Sequence, residues 1–438
     1  MIYPDERAIR ALDKYDQAEV YVSEAVVNTV YIDGSKISNI ETKKESGMMF
    51  RMIHGSRTGK ASVSLCSPDS AADCLEMADS VLKYSPVNPD SGSYPCPGQA
   101  GIPAPDVWDK KAENIAPEDL RELAEQLIGE CRVNIPRAQI RVSAMNSRTV
   151  NSNGVDTGHR STLVYGHFTS MANIDHPGEG TETFYGTHLD LDPVCIAHSL
   201  SRKAEAAAGS REFRGTSGVT MILPPGELGD MLLSSVGSAV NGENVKYGRT
   251  LWKDSLGGKV ASESLCIADD PASKAPLSCV FDDEGTPAGR HTIIEKGILR
   301  GFLRDAFCGD STGNGMRRSS VEPQGAYDRT PAVKPLNMTV KPGNLTRDQI
   351  IENTDNGILV EKFAWPEADG LTGRFGLNVR CGYLVRKGEI TGVISNALLM
   401  GNMLEALNEI ECIGSDSTCR GVVTVPTMSF SGAELAGN

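Results

Sequence analysis

The seven histidines of this chain are the first residues to test for metal chemistry, because neutral imidazole is a common zinc ligand. Five of them lie between His159 and His198, where neighbouring histidines are eight to twelve positions apart. A catalytic zinc needs three protein ligands that converge on it, and short fixed spacings such as HExxH on a helix deliver them. The chain contains neither HExxH nor HxH. The histidine spacing therefore predicts residues scattered over strands and loops, not a metal site.

Three other short patterns resemble catalytic or binding motifs but lack a required part. Residues 309–313 match G-x-S-x-G, yet the sequence that follows them does not open an apolar helix. Residues 55–60 are one residue short of a phosphate loop and fit a hairpin turn better. The acidic run 282–285 could hold Ca²⁺ or supply an acid–base pair, but a turn before a strand explains it more simply. The residues by themselves give no complete catalytic constellation.

Charge and composition exclude several classes of protein. Asp and Glu outnumber Lys and Arg by 57 to 43, so the formal net charge of −14 argues against direct nucleic-acid binding. No apolar run approaches the ~20 residues that span a bilayer, and the polar N-terminus does not resemble a secretory signal. The 11 cysteines are an odd number and form no CxxC pair. This pattern is typical of reduced thiols and not of a disulfide framework. We expect a cytoplasmic protein that does not bind membranes.

Periodicity and turn residues divide the chain into four predicted segments. An N-terminal α/β segment covers 1–85 and a Pro-rich linker or extended wrap covers 86–116, with six prolines between Pro86 and Pro105. A middle α/β segment covers 117–215, and a β-rich C-terminal domain covers 216–438. Asp33-Gly34 predicts a hairpin, and an apolar stripe after Pro224-Pro225 predicts a helix over 227–240. The expected fold class is α+β, with an N-terminal antiparallel sheet flanked by helices and a β-rich C-terminal domain.

Several segments, in the same order along the chain, resemble the TldD/PmbA family, whose name links it to modulation of DNA gyrase. The most recognisable is FDDEGTPAGRHTIIEKGILRGFL at 281–303. The other segments that carry the resemblance are residues 18–64, 151–154, 335–344, 354–363 and 383–403. Together they span nearly the whole chain.

The resemblance implies a choice between two branches of that family. The TldD branch carries HExxxH on a helix plus a late cysteine and is a zinc peptidase, whereas the TldE (PmbA) branch lacks the histidine pair. Leu232-Leu233 resembles the pair that precedes the motif, which places Ser234, Ser235 and Ala239 at the positions of His, Glu and His. Cys419 falls at the approximate place of the late cysteine. Serine is a poor zinc ligand and alanine is none, so the resemblance implies the non-catalytic branch.

We therefore expect a TldE/PmbA-like subunit of a zinc metalloprotease that binds no zinc itself. By resemblance, a TldD-type HExxxH-bearing subunit would supply the zinc in a heterodimer that acts on unfolded or short peptides. Two alternatives stay open. One is a homodimeric regulator that binds peptides or proteins without peptidase activity. The other is a peptidase with an unrecognised site, perhaps with Cys419 as nucleophile, which would need a histidine base nearby.

Overall fold

The fold is described from a computed structural model that covers residues 4–67, 69–89, 91–173, 177–272, 275–308, 316–317 and 326–437. The G-x-S-x-G motif at 309–313 lies outside the described residues. The helices are α1 (Glu6–Ala11), α2 (Ser70–Tyr84), α3 (Lys110–Glu113), α4 (Pro117–Glu130), α5 (Pro193–Ala207), α6 (Pro225–Ala239), α7 (Gly242–Lys246), α8 (Arg347–Glu352) and α9 (Met403–Ala406), with 3₁₀ turns at Leu12–Lys14 and Ala326–Asp328. The strands of the N-terminal part are β1 (Gln17–Asp33), β2 (Lys36–His54), β3 (Arg57–Ser64), β4 (Asn134–Asn151), β5 (Asp156–Ala172) and β6 (Gly178–Gly186). The later strands are β7 (Arg211–Glu212), β8 (Gly215–Leu223), β9 (Ile267–Asp269), β10 (His291–Glu295), β11 (Ile298–Leu299), β12 (Met316–Arg317), β13 (Ala332–Val333), β14 (Met338–Val340), β15 (Asn356–Phe363), β16 (Arg374–Arg386), β17 (Glu389–Ser395), β18 (Ala397–Asn402), β19 (Ile410–Ile413), β20 (Thr418–Cys419), β21 (Val423–Val425) and β22 (Met428–Gly437).

The N-terminal sheet is antiparallel throughout and has the strand order β3-β2-β1-β4-β5-β6. β1 and β2 turn at Gly34 and Ser35, which have φ values of 56° and 59°, so the predicted hairpin is confirmed. Both residues lie in the left-handed region that a tight hairpin turn requires. Middle-segment strands β4 to β6 extend the same sheet that β1 to β3 begin.

Helices cover one face of this sheet. α2 packs Cys74, Ala78 and Leu82 on the part that β1 to β3 form, around Phe50. α4 and α5 cover the other end, in a separate apolar cluster that contains Leu120, Leu127, Leu200 and Phe168. The apolar residues recur at helical spacing on each helix, which buries one stripe and leaves the polar side in water.

The opposite face of the sheet packs on the C-terminal part of the chain. Arg51 on β2 forms a bidentate ion pair with buried Glu19 at 2.8 and 3.0 Å, and its Nη2 lies 3.5 Å from Oε1 of Glu284. The Thr149 hydroxyl donates to the carbonyl oxygen of Asp283 at 3.1 Å. The segment 281–303, which is the most recognisable part of the family resemblance, therefore begins directly against the N-terminal sheet.

The C-terminal part is built on a small barrel. β15, β8, β22, β18 and β16 are neighbours in that order, and pairing between β16 and β15 closes the ring. A second sheet, in the order β11-β10-β9-β14-β21-β20, packs beside it, and the two share one large apolar core. The predicted α+β fold, with an N-terminal antiparallel sheet and a β-rich C-terminal part, is confirmed.

The Pro-rich stretch between α2 and α3 is an irregular strap held by hydrogen bonds to the N-terminal sheet. The Tyr94 N–H donates to Gln17 at 2.6 Å, and the Asn151 and Asn153 amides donate to the carbonyl oxygens of Pro95 and Tyr94 at 2.9 and 2.7 Å. The four-segment division of the chain stays a prediction. Among the described residues, no helix is long and apolar enough to cross a membrane.

Candidate functional site

Helix α6 carries the positions that the sequence singles out. It follows β8 directly, and Pro225 occupies the first turn, where its missing N–H costs no helical hydrogen bond. Leu228, Met231, Leu232 and Val236 are buried in the C-terminal core. The other face, which includes Asp230, is partly exposed.

The three motif positions on α6 do not share one surface. The Ser235 hydroxyl is fully buried and donates to the Met231 carbonyl oxygen at 2.6 Å, and Ala239 is also buried in the core. Ser234 is partly exposed. Its hydroxyl donates to the same Met231 carbonyl oxygen at 3.1 Å and accepts the Ala368 N–H at 3.1 Å. Ser234 therefore anchors the loop at residues 364–373, and neither Ser235 nor Ala239 reaches that loop.

Cys419 lies on β20, apart from the motif positions. Its thiol donates a weak hydrogen bond to the Gly421 carbonyl oxygen at 3.7 Å, and burial raises the pKa of the thiol, partly offset by the Thr424 hydroxyl. In the described part of the chain, Cys419 makes no hydrogen bond to Ser234, Ser235, Ala239 or a histidine. The next residue, Arg420, instead contacts the first turn of α6 at Gly226.

A polar cleft of about 290 Å³ opens where the first turns of α6 face strand β6. We call it the polar cleft. Its charged lining residues are Glu182, Lys203, Glu227, Asp230, Arg347, Glu361, Lys362 and Arg420. Glu182 and Lys203 come from the N-terminal part of the fold and the others from the C-terminal part, so the cleft lies at the junction of the two.

Most of these charges neutralise one another. The Lys203 ammonium lies 2.9 Å from Glu182 and 3.1 Å from Glu361, and the Arg347 guanidinium lies 2.5 Å from Glu361. Burial alone would raise the pKa of Glu361, but the two cations outweigh burial and lower it. Glu227 is buried, pairs with Lys362 at 3.3 Å and accepts the Phe363 N–H at 2.8 Å. Burial raises the pKa of Glu227 despite that cation.

Asp230, Arg420 and Tyr185 keep unused hydrogen-bonding capacity. Among the described residues, the Asp230 carboxylate makes no hydrogen bond or ion pair within contact distance. The residue is exposed, and partial desolvation of its carboxylate raises the pKa of Asp230 against the pull of Arg420 and Lys362. Arg420 donates one hydrogen bond, to the Thr183 carbonyl oxygen at 2.7 Å. The Tyr185 ring packs against that of Tyr165 at a tilt of 56°, with 5.1 Å between the ring centroids, and burial raises the pKa of the Tyr185 hydroxyl, with Tyr165 and Asp230 adding to the effect.

Sequence reasoning missed this cleft. Tyr185, Asp230 and Arg420 belong to strand β6, helix α6 and the residue after β20, and they follow no short spacing that a motif search detects. The only local signal is Gly226, because a Cβ there would lie 2.4 Å from an Arg420 nitrogen. In the described residues, no group of three or more His, Cys, Asp and Glu is arranged to hold a metal ion.

Comparison with known proteins places the chain among metallopeptidase relatives. The family model described as the PmbA/TldA metallopeptidase C-terminal domain matches residues 216–437, just over half of the chain, and the model for domain 1 of the same metallopeptidases matches residues 18–81. A metalloprotease PmbA homologue of Buchnera aphidicola subsp. Acyrthosiphon pisum (strain APS) is 24% identical over 96% of this chain and 93% of its own length. A metalloprotease TldD homologue of the same organism is 32% identical, but the match spans 55% of this chain and only 50% of that protein. The crystal structure of TldE from Thermococcus kodakarensis superposes with a TM-score of 0.85 over 99% of both chains, at 23% identity, which shows the same fold.

Proposed function

Because the chain belongs to the PmbA/TldD metallopeptidase family, we propose that it is a PmbA/TldE-like subunit of a cytoplasmic zinc metalloprotease. In this proposal the chain performs no bond-breaking step itself. A TldD-type subunit with HExxxH supplies the zinc and the water-activating glutamate. This chain completes the assembly and helps to position unfolded or short peptides. It makes no direct contact with nucleic acid.

The observation that carries the proposal is the donor set on α6. A zinc site needs imidazole, thiolate or carboxylate ligands that point to one place. Ser234 and Ser235 instead direct their hydroxyls to the Met231 carbonyl oxygen, and Ala239 has no donor. If the motif is aligned one residue earlier, it falls on Leu233, Ser234 and Ser238, which share the partly exposed face of α6 but still include no His or Glu. A catalytic zinc does not fit either set.

The surroundings of Cys419 also favour a non-catalytic subunit over a cysteine peptidase. A nucleophilic cysteine needs a lowered pKa or an adjacent base. Burial raises the pKa of Cys419, so its thiolate is scarce at neutral pH. We expect Cys419→Ala to leave peptide turnover by the assembled protease within about two-fold, measured as initial rates against the wild-type assembly. A loss of more than 100-fold would restore Cys419 as a nucleophile.

The decisive experiment mixes the purified chain with a candidate HExxxH-bearing partner. Size-exclusion chromatography with light scattering reports assembly, and cleavage of an unfolded protein and of short peptides in the presence of Zn²⁺ reports activity. We expect a stable complex, cleavage by the mixture, and none by this chain alone. A partner variant whose motif Glu is replaced by Gln serves as the matched control and should assemble without cleaving.

Two results would contradict the proposal. Metal-dependent cleavage by this chain alone would mean that a site outside the motif positions is catalytic. A homodimer that ignores every HExxxH-bearing candidate would favour the peptide-binding regulator instead.

A further inference from the structure

We propose that the polar cleft binds a short zwitterionic peptide, with its α-amino group at Asp230 and its carboxylate at Arg420. The expectation that the ligand is a peptide rests on the proposed function. The two binding groups themselves follow from the geometry of the cleft.

The first argument is which charges in the cleft are already paired. Lys203, Arg347, Glu182 and Glu361 form a continuous ion-pair chain, and Lys362 pairs with Glu227. Asp230 lines the cleft as an exposed residue and makes no hydrogen bond or contact ion pair among the described residues. Its carboxylate is therefore available to a cation that enters the cleft, and the ammonium end of a peptide is one.

The second argument is that Arg420 is positioned before any ligand binds. One terminal nitrogen, Nη1, donates to the Thr183 carbonyl oxygen at 2.7 Å, which spans from the C-terminal part to strand β6. The other terminal nitrogen, Nη2, lies against Gly226, where any side chain would collide with it. The remaining N–H groups of Arg420 can donate to a carboxylate, for which the planar guanidinium is the best-matched side chain. Little side-chain entropy is lost on binding, because the rotamer is already fixed.

The third argument is size and composition. A cleft of about 290 Å³ is at the small end of ligand sites, which suits a peptide of two or three residues and not a folded protein. Tyr185 also lines the cleft, and its hydroxyl makes no hydrogen bond within the described residues, so it can help to hold the ammonium group. Because Asp230 and Ser234 lie one helical turn apart, the ligand would sit about 6 Å from the motif position.

Isothermal titration of the purified chain tests the proposal with Ala-Ala, N-acetyl-Ala-Ala and Ala-Ala amide. We expect Ala-Ala to bind, and each blocked form to bind at least ten-fold more weakly. Asp230→Asn should weaken Ala-Ala and abolish the preference for the free amine, so that Ala-Ala and its acetylated form bind equally. Arg420→Gln should do the same for the free carboxylate. Asp254→Asn and Arg300→Gln change exposed charges outside the cleft and should leave all three affinities unchanged.

Folding is controlled with thermal unfolding, because Arg420 also joins two parts of the fold. If Arg420→Gln unfolds, Tyr185→Phe replaces it as the second probe and should weaken Ala-Ala binding about three- to ten-fold while keeping the ring contact with Tyr165. The absence of Ala-Ala binding at millimolar concentration, or equal binding of the free and blocked peptides by wild type, overturns the proposal. These readouts use the chain alone. Failure of the proposed function would instead appear as no complex with the HExxxH-bearing partner, or no cleavage by the mixture, while Ala-Ala binding stays intact.

Discussion

At the scale of single residues, Asp282 is a buried carboxyl outside the cleft that shapes a turn. Its Oδ1 accepts the N–H groups of Glu284 and Thr286, both at 3.0 Å, and thereby shapes the turn that faces the N-terminal sheet. Its Oδ2 is buried and has no hydrogen-bond partner among the residues that the structure describes. Burial, with the nearby Glu284 adding to it, raises the pKa of Asp282 well above its usual value. The acidic run at 282–285, which the sequence analysis interpreted most simply as a turn, therefore forms a turn around a buried carboxyl group.

We predict that Asp282→Asn stabilises the fold at alkaline pH. The folded chain holds a proton that the unfolded chain releases, so the contribution of Asp282 to the free energy of unfolding is complete below about pH 4 and is lost as pH rises through the folded pKa. Asparagine keeps the Oδ1 acceptor and needs no proton. Urea unfolding at pH 5, 7 and 9 should show an advantage for Asp282→Asn that grows with pH. Asp282→Ala loses both turn hydrogen bonds and should cost about 1–3 kcal/mol at pH 5, and this cost relative to wild type should shrink as pH rises, because the wild-type carboxyl itself loses its stabilising contribution. An advantage for Asn that shrinks as pH rises would contradict the assigned direction.

The residue scale is also where sequence reasoning reached its limit. Reading the sequence is enough to see that the motif positions 234, 235 and 239 carry no His or Glu. Sequence reasoning could not identify Asp230, Arg420 and Tyr185, since no spacing relates them and only the closure of β6 against α6 brings them together. Ser235 and Ala239 show the same limit. Their burial depends on packing that the motif alignment does not contain.

At the scale of secondary structure, periodic segments were predicted best. The helix expected over 227–240 occurs as Pro225–Ala239. In contrast, the first strand, Gln17–Asp33, is hard to delimit from its sequence. Parts of both faces of that strand are buried, one by helices and one by the C-terminal part, so the simple alternation that marks a half-exposed strand is missing.

A substitution on α6 can test whether this helix holds the loop at residues 364–373 in place. Ser234 holds this loop through the Ala368 N–H, and Ala368 is itself buried. We predict that Ser234→Ala lowers the free energy of unfolding by about 1–2 kcal/mol, because the buried N–H loses its acceptor. Amide exchange should become faster over 366–372 before it changes elsewhere. Ser238→Ala is the matched control one turn later. The Ser238 hydroxyl packs against Gly370 of the same loop but makes no hydrogen bond within the described residues, so its removal should lower the free energy of unfolding less than Ser234→Ala and speed exchange over 366–372 less. Equal effects of the two substitutions would mean that the loop is held by packing alone.

At the scale of the whole molecule, the polar cleft is also the place where the two halves of the fold are tied together. Lys203 on α5 and Glu182 on β6 meet Glu361 on β15 and Arg347 on α8. The sequence could predict an N-terminal sheet and a β-rich C-terminal part, because each has its own local patterns. It could not predict their junction, since these four charged residues look like ordinary surface residues when each is viewed in its own segment.

Glu361 holds the centre of that junction, and its removal should loosen the whole molecule. Glu361→Gln leaves Arg347 without its ion-pair partner and Lys203 with Glu182 alone, so we predict a loss of about 1–3 kcal/mol for this partly buried network. Glu205→Gln is the control, because it breaks a comparably short but exposed pair with Arg132 and should cost less than about 0.5 kcal/mol.

The lowered pKa of Glu361 gives a second signature of its role in the junction. Its contribution is present above the unfolded pKa of glutamate and is lost as pH falls through the folded pKa, so wild type and Glu361→Gln should converge in stability at acid pH. Calorimetry should show the single transition of wild type broadening or splitting in Glu361→Gln at neutral pH, as the N-terminal sheet and the barrel begin to unfold separately. If both variants unfold like wild type, the apolar contacts of the two halves, and not this ion-pair network, hold the junction closed.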